Sequence, residues 1–137
     1  IVFASEKSGR TPKEVMDRLK EMKANVREVL DPSKAEVEEL MRQCDILCMP
    51  AWVRGVPKEE PERSKFFELA KKYYVGLDSL KKAKKEGKIV YVMHPLPRLD
   101  VEMDFGIDKT EHALYWDQVD LSVPVRMAMI LSILYGT

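Results

Sequence analysis

Short apolar runs alternate along this chain with amphipathic stretches that open on helix-capping residues, and that rhythm restricts the fold more than any other feature. Ile1-Val2-Phe3-Ala4 ends in the polar loop Ser5-Glu6-Lys7-Ser8-Gly9. Thr11-Pro12-Lys13-Glu14 has the form of a capping box with Pro in the first helical position. Val15, Leu19 and Met22 are spaced as the buried stripe of a helix closing near Ala24. Residues 26–30 read as a second strand, and Ser33 and Glu36 as the cap pair of a second helix whose apolar face is Val37, Leu40 and Met41. Asp45-Ile46-Leu47-Cys48-Met49 is almost free of polar residues, as a strand covered on both faces should be. Strand and helix alternating through short connections predict an α/β fold, a three-layer domain with a doubly wound parallel sheet.

The rhythm breaks twice. Residues 50–61, Pro-Ala-Trp-Val-Arg-Gly-Val-Pro-Lys-Glu-Glu-Pro, are too irregular for either element, and excursions of that length tend to be functional or mobile. A helix over 64–72, a brief extended piece at Tyr73-Tyr74-Val75 and a basic helix capped by Asp78 or Ser79 and ended by Gly87 follow. Lys81, Lys82, Lys84 and Lys85 point in different directions and read as a solvated face. The second break comes where the strand Lys88-Ile89-Val90-Tyr91-Val92 runs out into Met93-His94-Pro95-Leu96-Pro97-Arg98. Two prolines one residue apart fix two φ angles and push His94 and Leu96 toward extended backbone, giving a rigid loop that is neither strand nor helix. At the carboxyl end of a parallel strand such a loop is placed where open α/β sheets hold ligands. A turn that only stops the strand is the plainer reading. Residues 99–111 are acidic and without period, 113–116 look extended, and Ser122 is placed to cap a last helix. In that helix Val125, Met129 and Ile133 share one face while Met127, Ala128, Ile130, Leu131 and Leu134 cover nearly all the rest, so a partner is expected to bury it on two sides.

With 137 residues the chain suits one domain, residues 1–137, with a core that needs no staples. Lys plus Arg (23) equals Asp plus Glu (23), so no global charge draws it to nucleic acid or to a membrane, and nothing electrostatic opposes self-association. Cys44 and Cys48 read as buried reduced thiols in a reducing, cytoplasmic compartment; with only His94 and His112 to complete a set, no metal site is expected. The longest apolar run, 123–135, contains Arg126, which argues against a membrane span. The first residues lack the pattern of a signal peptide, and the chain opens inside a strand without an initiator Met.

His94-Pro95-Leu96-Pro97-Arg98, followed by Asp104, Asp108-Lys109-Thr110, His112-Ala113, Tyr115, Gln118 and Pro124-Val125-Arg126-Met127-Ala128, resembles the carboxyl-terminal part of aspartate carbamoyltransferases in order and spacing. Asp45-Ile46-Leu47-Cys48-Met49 and the helix before it resemble the same amino-acid-binding domain. The resemblance implies half of an enzyme that transfers a carbamoyl group from carbamoyl phosphate to the amine of aspartate or a related amino acid, in pyrimidine biosynthesis, without cofactor or metal. It implies that Pro95, Leu96 and Pro97 present backbone carbonyls to the carbamoyl amide, Leu96 foremost, with His94 and Arg98 as structural neighbours. A carbamoyl-phosphate-binding domain, absent from this sequence, is implied on the last helix, and a homotrimer with active sites between subunits. Ser8-Gly9-Arg10-Thr11 is similar to a family segment that binds the α-carboxylate, which makes Arg10 a ligand candidate beside the reading of a solvated loop residue; the strand and helix lengths fit the following strand–helix unit better, so the resemblance implies that the domain's first strand and helix are absent.

The departures are as informative. Where the family places an Arg and, two residues later, a Gln to hold the substrate carboxylates, this chain has Ala51 and Val53. Arg54 is the candidate substitute. The ornithine-type Cys is absent, Pro95 standing in its place. A non-catalytic relative kept for assembly is therefore the rival reading. A doubly wound module for some other anion is a third, disfavoured because no Gly-rich phosphate fingerprint follows any strand.

Overall fold

The computed structural model describes residues 1–136, and the side chains of Val53 and Arg54 lie outside the described residues. The chain forms two compact units, Ile1–Leu40 and Met41–Thr137. In the first, β1 (Val2–Ser5) and β2 (Arg27–Leu30) pair in parallel, Val2 opposite Arg27 and Ser5 opposite Leu30, with α1 (Lys13–Glu21) between them in sequence. The capping box expected at Thr11 and Glu14 does not form. Glu28 of β2 takes the Thr11 N–H at 3.0 Å, and α1 starts after Pro12 with no side-chain cap. The stripe expected at Val15, Leu19 and Met22 is corrected as well: Val15 and Met22 are exposed, while Met16 and Leu19 are half-buried. The second box forms as read: Ser33 Oγ accepts from the Glu36 N–H at 3.2 Å and the Glu36 carboxylate from the Ser33 N–H at 2.8 Å, opening α2 (Lys34–Gln43).

In the second unit β3 (Ile46–Cys48) and β4 (Tyr91–Met93) are also parallel, Leu47 opposite Val92. Ile46 and Cys48 are exposed, so β3 is open on one face where both were expected covered, and Cys48 is not the buried thiol the sequence suggested; both cysteines are free. Around this pair run α3 (Glu62–Lys72), α4 (Leu77–Lys85) and α5 (Tyr115–Tyr135). The core gathers Val75, Leu80, Ala83, Val90, Val92, Met103, Ile107 and Tyr115. Val75 lies at the end of the segment expected to be extended and makes a single parallel bridge to Met103. Gly87, at φ +90°, ends α4 with its N–H on Lys84 and the Lys88 N–H on Ala83, a closure in which a side chain would be strained. The lysines of α4 are exposed, Lys84 pairing with Glu111. His112 flanks β4: its carbonyl accepts from the Val92 N–H at 2.7 Å and its Nδ1 meets the Val90 carbonyl at 2.8 Å.

The last helix begins seven residues before its expected cap, at Tyr115 rather than Ser122, and carries Pro124 in its interior. Helix-interior proline costs about 3 kcal/mol, so packing must hold the first turns, and the fully buried Tyr115 supplies it. With 21 residues and none of its most apolar window buried, α5 is long and apolar enough to cross a membrane by length and composition, which the shorter run read from sequence was not. Leu121, Val123, Val125, Met127, Met129, Ile130, Ile133 and Leu134 are all exposed, so the described residues do not supply the burial expected on two sides.

Candidate functional site

Parallel pairing puts the carboxyl ends of β3 and β4 side by side, and the Met49 N–H on the Met93 carbonyl, 2.9 Å, carries the ladder one residue further. Two loops leave from there. The one after β3 forms a single helical turn, Trp52–Gly55, whose Trp52 ring packs edge-on against Phe66 at 5.5 Å and beside Tyr73 at 5.8 Å. The one after β4 is the diproline loop.

His94 organises the diproline loop. Its N–H donates to Gln118 Oε1 on α5 at 2.9 Å, and its Nδ1 accepts from the Leu96 N–H at 2.9 Å. An accepting Nδ1 leaves the proton of the neutral ring on Nε2, which is fully buried and 3.6 Å from Glu102 Oε2. Leu96 does not take the extended backbone expected before a proline. The short Leu96–His94 hydrogen bond curls the chain, Leu96 stands at φ +49°, and the Leu96–Pro97 bond is cis. A left-handed conformation costs an L-residue about 1–2 kcal/mol, and such strain is found at functional sites. Among the described residues no donor reaches the carbonyl oxygens of Pro95, Leu96 or Pro97.

Arg98 is held by its own chain. Its side chain is 6% exposed, Nη2 bonds Asp108 Oδ1 at 2.6 Å, and its guanidinium lies over the rings of Phe105 at 4.5 Å and Tyr115 at 5.3 Å. The Tyr115 hydroxyl donates to the same oxygen of Asp108. Burial works to raise the Asp108 carboxyl, and the bonds from Arg98 and Tyr115 outweigh it, leaving it below the ordinary 3.8. Arg10 belongs to the first unit, 67% exposed, with Nε on Glu28 Oε2 at 3.0 Å. The Arg54 side chain lies outside the described residues; its backbone is part of the Trp52–Gly55 turn. No group of three or more metal-ligating side chains occurs among the described residues.

Glu102 was not singled out from sequence. It is 2% exposed and accepts from the Trp52 N–H through Oε1 and from the Leu99 N–H through Oε2. Its segment has no hydrophobic period, and the only signal available was a carboxylate four residues after the diproline loop's Arg98.

Burial pushes the His94 imidazole below its ordinary 6.5, with Glu102 opposing the shift and Arg98 adding to it. A depressed folded-state value means that the unfolded chain binds the proton first as pH falls. Stability is therefore expected to be full above pH 6.5 and to decline as pH drops below it. Urea midpoints at pH 7.5, 6.5 and 5.5 should show that decline, and His94→Asn should remove most of it; a variant with the wild-type slope would assign the proton elsewhere.

The model of the family described as "Aspartate/ornithine carbamoyltransferase, Asp/Orn binding domain" matches residues 1–133. The chain is 36% identical over 135 residues to a protein named ureidoglycine carbamoyltransferase from Rubrobacter xylanophilus, covering 97% of this chain and 39% of that one. It is 38% identical over 122 residues to an aspartate carbamoyltransferase catalytic subunit from Thermococcus kodakarensis, covering 88% and 35%. Its fold is similar to that of the catalytic subunit of the M. jannaschii aspartate transcarbamoylase, with a TM-score of 0.71 and 27% identity over 99% of this chain and 41% of that one. The chain thus spans well under half the length of these relatives.

Proposed function

The chain belongs to the aspartate/ornithine carbamoyltransferase family as its Asp/Orn-binding domain, and from that premise we propose that it is the amino-acid-binding half of an enzyme carrying the carbamoyl group of carbamoyl phosphate to the amine of aspartate or a related acceptor. The observation that carries the reading is the Leu96 carbonyl, which meets no donor among the described residues and is set in a stiff loop at the carboxyl end of β4. A fixed acceptor orients a planar carbamoyl group without reorganisation, which is positioning rather than acid–base catalysis. His94, buried with both ring nitrogens turned to its own chain, orients the loop, and Arg98 braces it through Asp108. Arg54, on the neighbouring turn, is the residue we assign to the acceptor's carboxylate. Arg10 is the weaker candidate because Glu28 already holds it.

The companion carbamoyl-phosphate domain packs on α5 in this reading. A bilayer is the poorer cover, since Asp120 and Arg126 within the helix each cost about 2.5–3.5 kcal/mol near a membrane centre. The same reading makes the whole protein a homotrimer of the reducing cytoplasm, serving pyrimidine synthesis when the acceptor is aspartate. Ala51 and Val53, in place of the family's carboxylate clamp, favour an acceptor other than aspartate, and the likeness to a ureidoglycine carbamoyltransferase supports that branch. They equally support the rival reading, a non-catalytic relative retained for assembly.

Calorimetry separates these readings. Carbamoyl phosphate and a bisubstrate phosphonate are expected to bind only when the companion domain is supplied, and carbamoyl transfer to appear only in the reconstituted pair. An absence of binding in both cases leaves the assembly reading standing.

A further inference from the structure

We propose that Glu102 is a positioning residue that locks the acceptor-side turn and the carbamoyl-orienting loop into one register. The inference rests on the functional reading above but on separate observations. Glu102 lies two loops away from the strand ends, in the segment that bridges to Val75. Its backbone is fixed there: its carbonyl accepts from the Val75 N–H at 3.0 Å and its N–H donates to the Leu99 carbonyl at 3.1 Å. Its carboxylate is then divided, one oxygen on the first residue of the Trp52–Gly55 turn and the other on Leu99, just past the diproline loop, with the His94 Nε2–H facing the second oxygen at 3.6 Å.

The two loops share no direct hydrogen bond among the described residues, so this carboxylate is the hydrogen-bonded link between them. A carboxylate suits the task because it accepts at both oxygens, whereas a carboxamide of the same shape accepts at one. The carboxylate itself is buried, so letting go of either amide leaves a desolvated charge short of a partner, which makes the link stiff. Trp52 begins the turn that carries Arg54, and Leu99 ends the stretch that carries Leu96. Holding both from one side chain fixes the backbone of that turn relative to the loop whose carbonyl orients the carbamoyl carbon, and that spacing decides whether the amine meets the carbon at attacking range.

The test uses the full-length protein with Glu102→Gln and Glu102→Asp. Gln can keep one amide and Asp keeps both oxygens on a shorter arm, so kcat is expected to fall about 10- to 100-fold in E102Q, in line with the cost of an ångström-scale misplacement, and less in E102D. Carbamoyl phosphate affinity by calorimetry should stay within twofold, because the defect is in geometry and not in phosphate binding. Exchange of the Trp52 and Leu99 amides should quicken together in E102Q while that of Val92 is unchanged. An E102Q enzyme with kcat within twofold of the wild type overturns the proposal. So do Trp52 and Leu99 amides that exchange freely in the wild type, a measurement that stands even if E102Q does not fold. A wild type without carbamoyl transfer sinks the functional reading instead, and the exchange result then judges the link by itself.

Discussion

Replacing His94 with leucine in the full-length protein is expected to lower stability by about 2–4 kcal/mol and, under the proposed carbamoyltransferase reading, to reduce kcat at least about 100-fold, the combined consequence of an orphaned amide and a released loop. Leucine fills the volume but offers the Leu96 N–H no acceptor, where His94 Nδ1 now stands at 2.9 Å. It also removes the ring N–H facing the second oxygen of buried Glu102. Without its partner, Leu96 has no reason to stay at φ +49°, and the strained turn relaxes toward the extended backbone that a residue before proline prefers. Asparagine separates the two losses. Its side-chain oxygen accepts from the N–H two residues on, as in an Asx-turn, but its amide is too short to face Glu102. His94→Asn should therefore retain most of the stability and an intermediate kcat. Urea unfolding with steady-state kinetics on both variants decides the matter, and a leucine variant at wild-type kcat would remove His94 from any account of the loop.

Under the proposed carbamoyltransferase reading, in which a companion domain docks on α5, adding charge to the far half of that helix is expected to cost comparable activity and almost no local stability. Ile130, Ile133 and Leu134 are 56%, 80% and 68% exposed. Each is worth about 1.5–3 kcal/mol when fully buried against another surface, so replacing all three with lysine should weaken docking of the companion domain by more than about 4 kcal/mol. Lysine is the fair choice near a helix carboxyl end, where a carboxylate would add a dipole penalty of its own. Carbamoyl transfer by the full-length triple variant should fall at least a hundredfold while amide protection in β3 and β4 stays as in the wild type. Full activity in that variant would mean that the companion domain rests elsewhere.

The α/β class was legible because it depends on local signals, and these survive at Ser33 with Glu36, along Val37 to Met41, and at Gly87. What was not legible came from partners distant in sequence. Thr11 lost its capping box to Glu28, 17 residues away. The start of α5 moved from Ser122 to Tyr115 because burial of that ring, and its hydroxyl on Asp108, outweigh the local preference for a serine cap. The diproline loop could be found from sequence, since prolines advertise rigidity, but the left-handed Leu96 could not: the sequence rule before proline points the other way, and only a ring nitrogen folding back from His94 reverses it. Glu102 was hidden for a related reason, because both of its amide partners come from loops that carry no periodic pattern.

The root of α5 is fastened to the diproline loop at two points: Gln118 receives the His94 N–H, and Tyr115 shares Asp108 with Arg98. Twenty-one residues of helix form a rod about 30 Å long at 1.5 Å per residue. A rod anchored at one end behaves as a crank once its free length is held. In the proposed reading, whatever settles on its outer turns would steer the backbone that carries the Leu96 carbonyl, so that assembly and alignment of the reacting groups would become one mechanical event.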